Sequence, residues 1–167
     1  MKPAVIGIAQ QLAAQLLRHP TTALERQLGH ISEIAALLPT DVGTPLARLA
    51  AHLRGTGPDA AVEEYTTIFE PGGALLLLSH PDDLAFTLAY QQAGFRLAET
   101  ERADFLPAVL EFAAARVAAD DFRGQELLCG YRPAIDAIAD RLAERDSPYL
   151  LAMDAIGATL PLLHPAA

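Results

Sequence analysis

The sequence predicts an all-α protein, a single compact domain over residues 1–167 built as a bundle of about seven to nine helices. Three observations carry that prediction. The apolar residues, 51% of a 167-residue chain, are mostly alanine and leucine and recur at helical spacing. Capping residues, prolines and glycines punctuate the chain at short intervals. No alternating pattern long enough for a strand interrupts them, and no internal repeat divides the chain. The length suffices to bury a proper core, and the short linkers mark no domain boundary.

The elements follow in order. From Ala4 to Arg18, the apolar positions Ile6, Ile8, Leu12, Leu16 and Leu17 predict a first helix, and His19-Pro20 stops it because the residue before proline is driven from the α region. Thr21 or Thr22 caps a second helix that runs to Leu38, with Leu24, Leu28, Ile31, Ile34, Ala35 and Leu38 on one stripe, and Pro39 ends it. Thr44-Pro45 reads as a cap followed by proline at the first helical position, which predicts a third helix to Arg54. After the loop Gly55-Thr56-Gly57-Pro58, Asp59 starts a helix through Val62, Tyr65, Ile68 and Phe69 that Pro71-Gly72-Gly73 breaks. The leucine run 75–78, apolar on every side, reads as a fully buried turn of helix.

Asp82 or Asp83 caps the next helix, with Leu84, Leu88 and Tyr90, and Gly94 ends it in the left-handed manner. Asp104 is expected to cap another, with Pro107 in its first turn and Leu106, Val109, Leu110, Ala113 and Val117 along it. A further helix with rough limits Glu126 and Arg145 carries Ile135, Ile138 and Leu142. Ser147-Pro148 then starts a last helix to about Leu163.

Composition excludes several function classes. A net charge of −9 repels phosphate backbones, so nucleic acid is not an expected partner and a basic peptide is. The longest apolar run, Ala74 to Leu78, is far short of the roughly 18 residues of a spanning helix, so no membrane insertion is expected. Met1-Lys2-Pro3 carries no signal-peptide pattern, and a single cysteine, Cys129, suits a reducing cytoplasm.

The chain lacks the usual catalytic and metal-binding spacings. Its five histidines are scattered without HExxH or HxH spacing, and His80 reads as a residue at a helix join or on the surface. Asp82-Asp83 and Asp120-Asp121 each precede a helix and read as caps. Pro71-Gly72-Gly73 lacks the lysine of a phosphate loop, there is no GxSxG elbow, and Cys129 has no base beside it and reads as a small buried residue. No cofactor, no metal and no enzymatic activity are therefore expected.

Tyr65 and Phe69, one turn apart, face the same way, as do Leu106 and Leu110. Taken alone, such pairs are commonly core. Glu111, between Leu110 and Phe112, lies either at the solvent edge of its helix or opposite a cation. If the Pro71 break lets the two helices approach across the leucine run, a peptide groove lies between them. Tyr65, Phe69, Tyr90, Leu106, Pro107 and Leu110 would line it, with Glu70, Asp104 and Glu111 at its acidic rim.

Several stretches together carry a family resemblance. Tyr65-x-x-x-Phe69-Glu70 precedes a glycine break and a leucine run, and Tyr90-Gln-Gln-Ala-Gly-Phe95 ends a helix. Asp104-Phe-Leu-Pro-Ala-Val-Leu-Glu-Phe112 opens another, Leu16-Leu17-Arg18-His19-Pro20 closes the first, and Leu142-Ala-Glu-Arg-Asp-Ser-Pro-Tyr149 comes late. In this order the chain resembles the NarJ-type nitrate reductase molybdenum cofactor assembly chaperones, a branch of the TorD-like redox enzyme maturation proteins. It departs from their pattern at Glu70-Pro71, at Leu78-Ser79-His80-Pro81 and at Arg102-Ala103. The resemblance implies a cytoplasmic, non-enzymatic chaperone, monomer or weak homodimer. Its client would be the N-terminal segment of an apo molybdoenzyme catalytic subunit, held open for molybdenum cofactor insertion. The competing expectations are a dimeric all-α scaffold without a client peptide and a small helical enzyme.

Overall fold

The computed structural model describes residues 1–70, 75–78 and 84–161. Among them are nine α-helices and no strand: α1 (Pro3–Leu16), α2 (Thr22–Ala36), α3 (Thr40–Thr56), α4 (Pro58–Phe69), α5 (Ala85–Ala93), α6 (Leu106–Val117), α7 (Arg123–Gly130), α8 (Arg132–Glu144) and α9 (Leu150–Thr159). The predicted all-α class is therefore observed. α1 packs against α2, α3, α6 and α9, and most of its side chains from Leu12 to Leu16 are buried in one core.

Small residues set how closely the helices approach. A Cβ at Gly43 would lie 2.2 Å from the Ala35 carbonyl oxygen, so α3 can press on α2 only with glycine there. A Cβ at Gly124 would lie 2.4 Å from Ala113 Cα, which fixes α7 on α6 in the same way. One polar cluster sits within the core. Gln10 on α1 exchanges amide hydrogen bonds with Gln125 on α7, and its Nε2 also donates to Thr159 Oγ on α9 at 3.1 Å. Each amide finds a partner, as burial requires.

Most expected ends are observed. The Thr21 hydroxyl accepts the Leu24 N–H at 3.1 Å, and Gly94 closes α5 at φ 69°. Chain breaks fall at Pro20, at Pro39, in 55–58, at Gly94 and at Ser147. α1, α2 and α9 end before the expected Arg18, Leu38 and Leu163, and α3 runs past Arg54.

Several expectations are corrected. α3 begins at Thr40, because the Pro39 carbonyl already accepts the Val42 and Gly43 N–H groups, so Thr44 is no cap and Pro45 lies inside the helix. There it lacks the N–H for an i→i−4 bond, a cost that the packing of α3 has to offset. The helix expected from Glu126 to Arg145 is two, α7 and α8, parted at Tyr131; Pro133 cannot continue α7 and fits the first turn of α8.

The leucine run is extended. Leu76 forms an isolated antiparallel bridge with Phe105, and Leu75 and Leu77 are buried while Leu76 and Leu78 are half-buried. The run's backbone groups find partners at 104–106 and not in a helical turn of their own. Asp104, finally, does not cap α6, which starts from Phe105 without a side-chain cap. Asp121 likewise accepts the Arg123 N–H, at 3.1 Å, ahead of α7 and is not its N-cap. Cys129 is half-buried. Pro71-Gly72-Gly73, His80 and Asp82-Asp83 lie outside the described residues.

Candidate functional site

The chemistry that sequence reasoning grouped gathers around one cation. Arg18 follows the last turn of α1, where a positive charge suits the negative end of the helix dipole. Its guanidinium takes Glu111 side-on, Nε to Oε1 at 2.8 Å and Nη2 to Oε2 at 3.1 Å. It also pairs with Glu101 and lies 5.6 Å from the centre of the Phe105 ring. Burial lowers the Arg18 pKa, but the hydrogen bonds and charges of Glu101 and Glu111 outweigh it, and the group is held more firmly protonated than usual. Glu111 thus sits at the partly exposed edge of α6 and also opposite a cation, which belongs to this chain.

Tyr65 faces the same place from α4. Its hydroxyl donates to the Leu17 carbonyl at 2.9 Å, one of the carbonyls that the end of α1 leaves free. Burial pushes its pKa up to about 12. Phe69 stacks on it at 4.7 Å, and both rings pack edge-on against Tyr149. Tyr90 donates to the Ala103 carbonyl at 2.6 Å, and its pKa is raised by burial first and then by Asp104, Glu101 and Glu111.

Asp104 has a different task from the rim role expected of it. Its side chain is only 3% exposed; it accepts the Leu78 N–H at 3.0 Å and pairs with Arg102 through Nε and Nη2. It therefore pins the leucine segment to the start of α6. The Leu77 N–H on the Asp104 carbonyl and the Leu106 N–H on the Leu75 carbonyl hold that segment against the start of α6 as well.

The structure thus brings Tyr65, Glu111, Tyr90 and Asp104 into one neighbourhood. Leu106, Pro107 and Leu110 are buried in the core, Phe69 turns towards α8, and Glu70 is exposed at the end of α4. Arg18 and Glu101 were missed. The signal for Arg18 was the glutamate in an otherwise apolar α6, which asks for a cation; Glu101, in the irregular stretch before α6, gave none. A cavity of about 490 Å³ opens beside them, with Arg18, His19, Tyr65, Glu101 and Phe105 among its walls. No group of three or more histidine, cysteine or acidic side chains is placed to hold a metal among the described residues. None of their helices is long and apolar enough to cross a membrane.

The chain is similar to part of a nitrate reductase-like protein. It is 33% identical, over 153 aligned residues, to nitrate reductase-like protein NarX of Mycobacterium tuberculosis, in both the CDC 1551 / Oshkosh and the ATCC 25618 / H37Rv strains. The alignment takes in 85% of this chain and 22% of that protein, so the chain spans about a fifth of the length of the curated relatives it matches. No family model matches the chain.

Proposed function

We propose that this protein is a cytoplasmic, non-enzymatic chaperone of the NarJ type. It binds the N-terminal segment of an apo molybdoenzyme catalytic subunit, a nitrate reductase or a relative, and holds it for molybdenum cofactor insertion and assembly. The observation that carries this reading is the 33% identity, over most of the chain, to a nitrate reductase-like protein. The all-α fold and the acidic charge are consistent with it.

In this reading the client meets the protein at the cavity beside Arg18. Tyr65 forms part of the wall, Glu111 holds Arg18 in place, and Glu70 adds acidic charge at the end of α4. Phe69, Tyr90, Leu106, Pro107 and Leu110 sit behind that surface and keep its shape, while Asp104 fixes the leucine segment. Rim carboxylates steer a basic segment and set its register, an effect that salt weakens.

Calorimetry tests the reading directly. A synthetic peptide copying the N-terminus of a molybdoenzyme catalytic subunit encoded beside this protein should bind saturably, without nucleotide or metal, and more weakly as salt rises. Absence of heat and of any thermal shift with such peptides overturns it.

A further inference from the structure

Two helices leave a trough between them that the core does not fill. On α1, Ala4, Gly7, Ile8, Gln11 and Gln15 fall on one stripe that Arg18 continues just past the helix end, and on α2 Leu24, Gln27, Ile31 and Ile34 do the same. The apolar part is a cavity of about 640 Å³ whose third wall is Ala114, Ala115 and Ala118 at the end of α6. It shares Gln15 and Gln27 with the cavity beside Arg18, so the two form one continuous channel along α1. From Ala4 to Arg18 that channel follows fourteen residue steps, roughly 21 Å at ~1.5 Å per residue.

We infer that this α1–α2 trough seats one amphipathic helix of a partner, about four turns long, with its apolar stripe on Ile8 and Ile34 and a basic residue at the Arg18 end. The chemistry changes along the trough in that sense. The walls of the larger cavity contain no aspartate, glutamate, lysine or arginine, with His30 as their one ionisable group, and Ile8 is 43% exposed there. At the other end one guanidinium serves two carboxylates, Glu101 and Glu111, leaving one negative charge in excess on a chain of net charge −9. A cation on the occupant is therefore attracted to that end.

A second copy of this chain fits less well. Two troughs placed face to face enclose empty volume, which close packing disfavours, whereas a convex helix fills one. Leu37, Leu84, Leu88 and Phe122, large apolar side chains exposed elsewhere, lie outside the trough. The identity of the occupant as a client segment rests on the chaperone reading; the shape and polarity of the trough do not.

The protein contains no tryptophan, so a peptide with one tryptophan reports binding by fluorescence. The probe is a designed amphipathic helix of about fifteen residues with a leucine stripe and a terminal arginine. It should bind the full chain, and Ile8→Glu and Ala115→Glu, both at exposed positions, should each weaken it at least tenfold without lowering the melting temperature. Leu88→Glu, on α5, should bind as wild type does. Unchanged binding in both trough variants, or no binding of the probe to wild type, overturns the trough. If the client peptide still binds in either case, the chaperone reading survives its loss. If the protein sediments as a dimer that Ile8→Glu dissociates, the occupant is a second copy and the inference is wrong.

Discussion

Asp104→Ala removes a side chain that fastens Leu78 to the start of α6. The Leu78 N–H then loses a charged acceptor at 3.0 Å in a half-buried position, a loss of roughly 1.5–3 kcal/mol. The pair with Arg102 adds less, about 0.5–1 kcal/mol, because that arginine is 47% exposed and returns to water. Together they predict a loss of about 2–4 kcal/mol. For a chain of this size that is a fall of about 5–15 °C in melting temperature. Circular dichroism at 222 nm follows the unfolding, and amide exchange locates the damage. The amides of Leu77, Leu78 and Leu106 should lose protection while Leu49 and Leu53, inside α3, keep theirs. A melting point within about 2 °C of wild type, with Leu77 and Leu106 still protected, would show that Asp104 does not hold the segment.

Two further perturbations act on the framework. Gly124→Ala places a methyl group 2.4 Å from Ala113 Cα, in backbone with no flexible end to yield, and should cost about 1–3 kcal/mol as a lower urea midpoint with an unchanged slope; Gly55→Ala, with nothing within 4 Å, should cost none of this. Alkali should unfold the protein through its buried tyrosines. An unfolded tyrosine ionises near 10.0 but Tyr65 only near about 12, so its contribution to stability is complete below pH 10 and is lost as pH rises to 12. Tyr90 and Tyr149, raised first by burial, act in the same direction. Tyrosinate absorbance should therefore rise together with loss of helix.

Local chemistry was legible in the sequence and distant partners were not. The Thr21 cap, the Gly94 stop, the early Pro107 and the Tyr65–Phe69 pair all depend on neighbours within five residues, and the structure shows each of them. The break between α7 and α8 was also legible, since Gly130 and Pro133 stand three residues apart, but the periodicity of Ile135, Ile138 and Leu142 overrode it. The extended leucine segment was not, because its hydrogen-bond partners lie 26 or more residues away. Nor was the Arg18 cluster, which joins positions 83 and 93 residues apart. Gly43 and Gly124 read as ordinary helix-weakening residues until the backbones they face are known.

The Arg18 cluster bears on the two functional proposals more than on stability. Its three side chains are between 21% and 30% exposed, where screening leaves an ion pair little net energy. What the cluster does is fix geometry. One guanidinium joins the end of α1, the stretch before α6 and α6 itself, while Tyr65 ties the same end of α1 to α4 through the Leu17 carbonyl. Four pieces of chain are thereby held in register around the cavity that Arg18, Tyr65 and Glu101 line. A partner that meets such a mouth pays less to order it, so its affinity depends on shape and charge already in place. The sequence therefore spends two carboxylates and an arginine, on separate elements, at a position where the helices alone would leave a loose end.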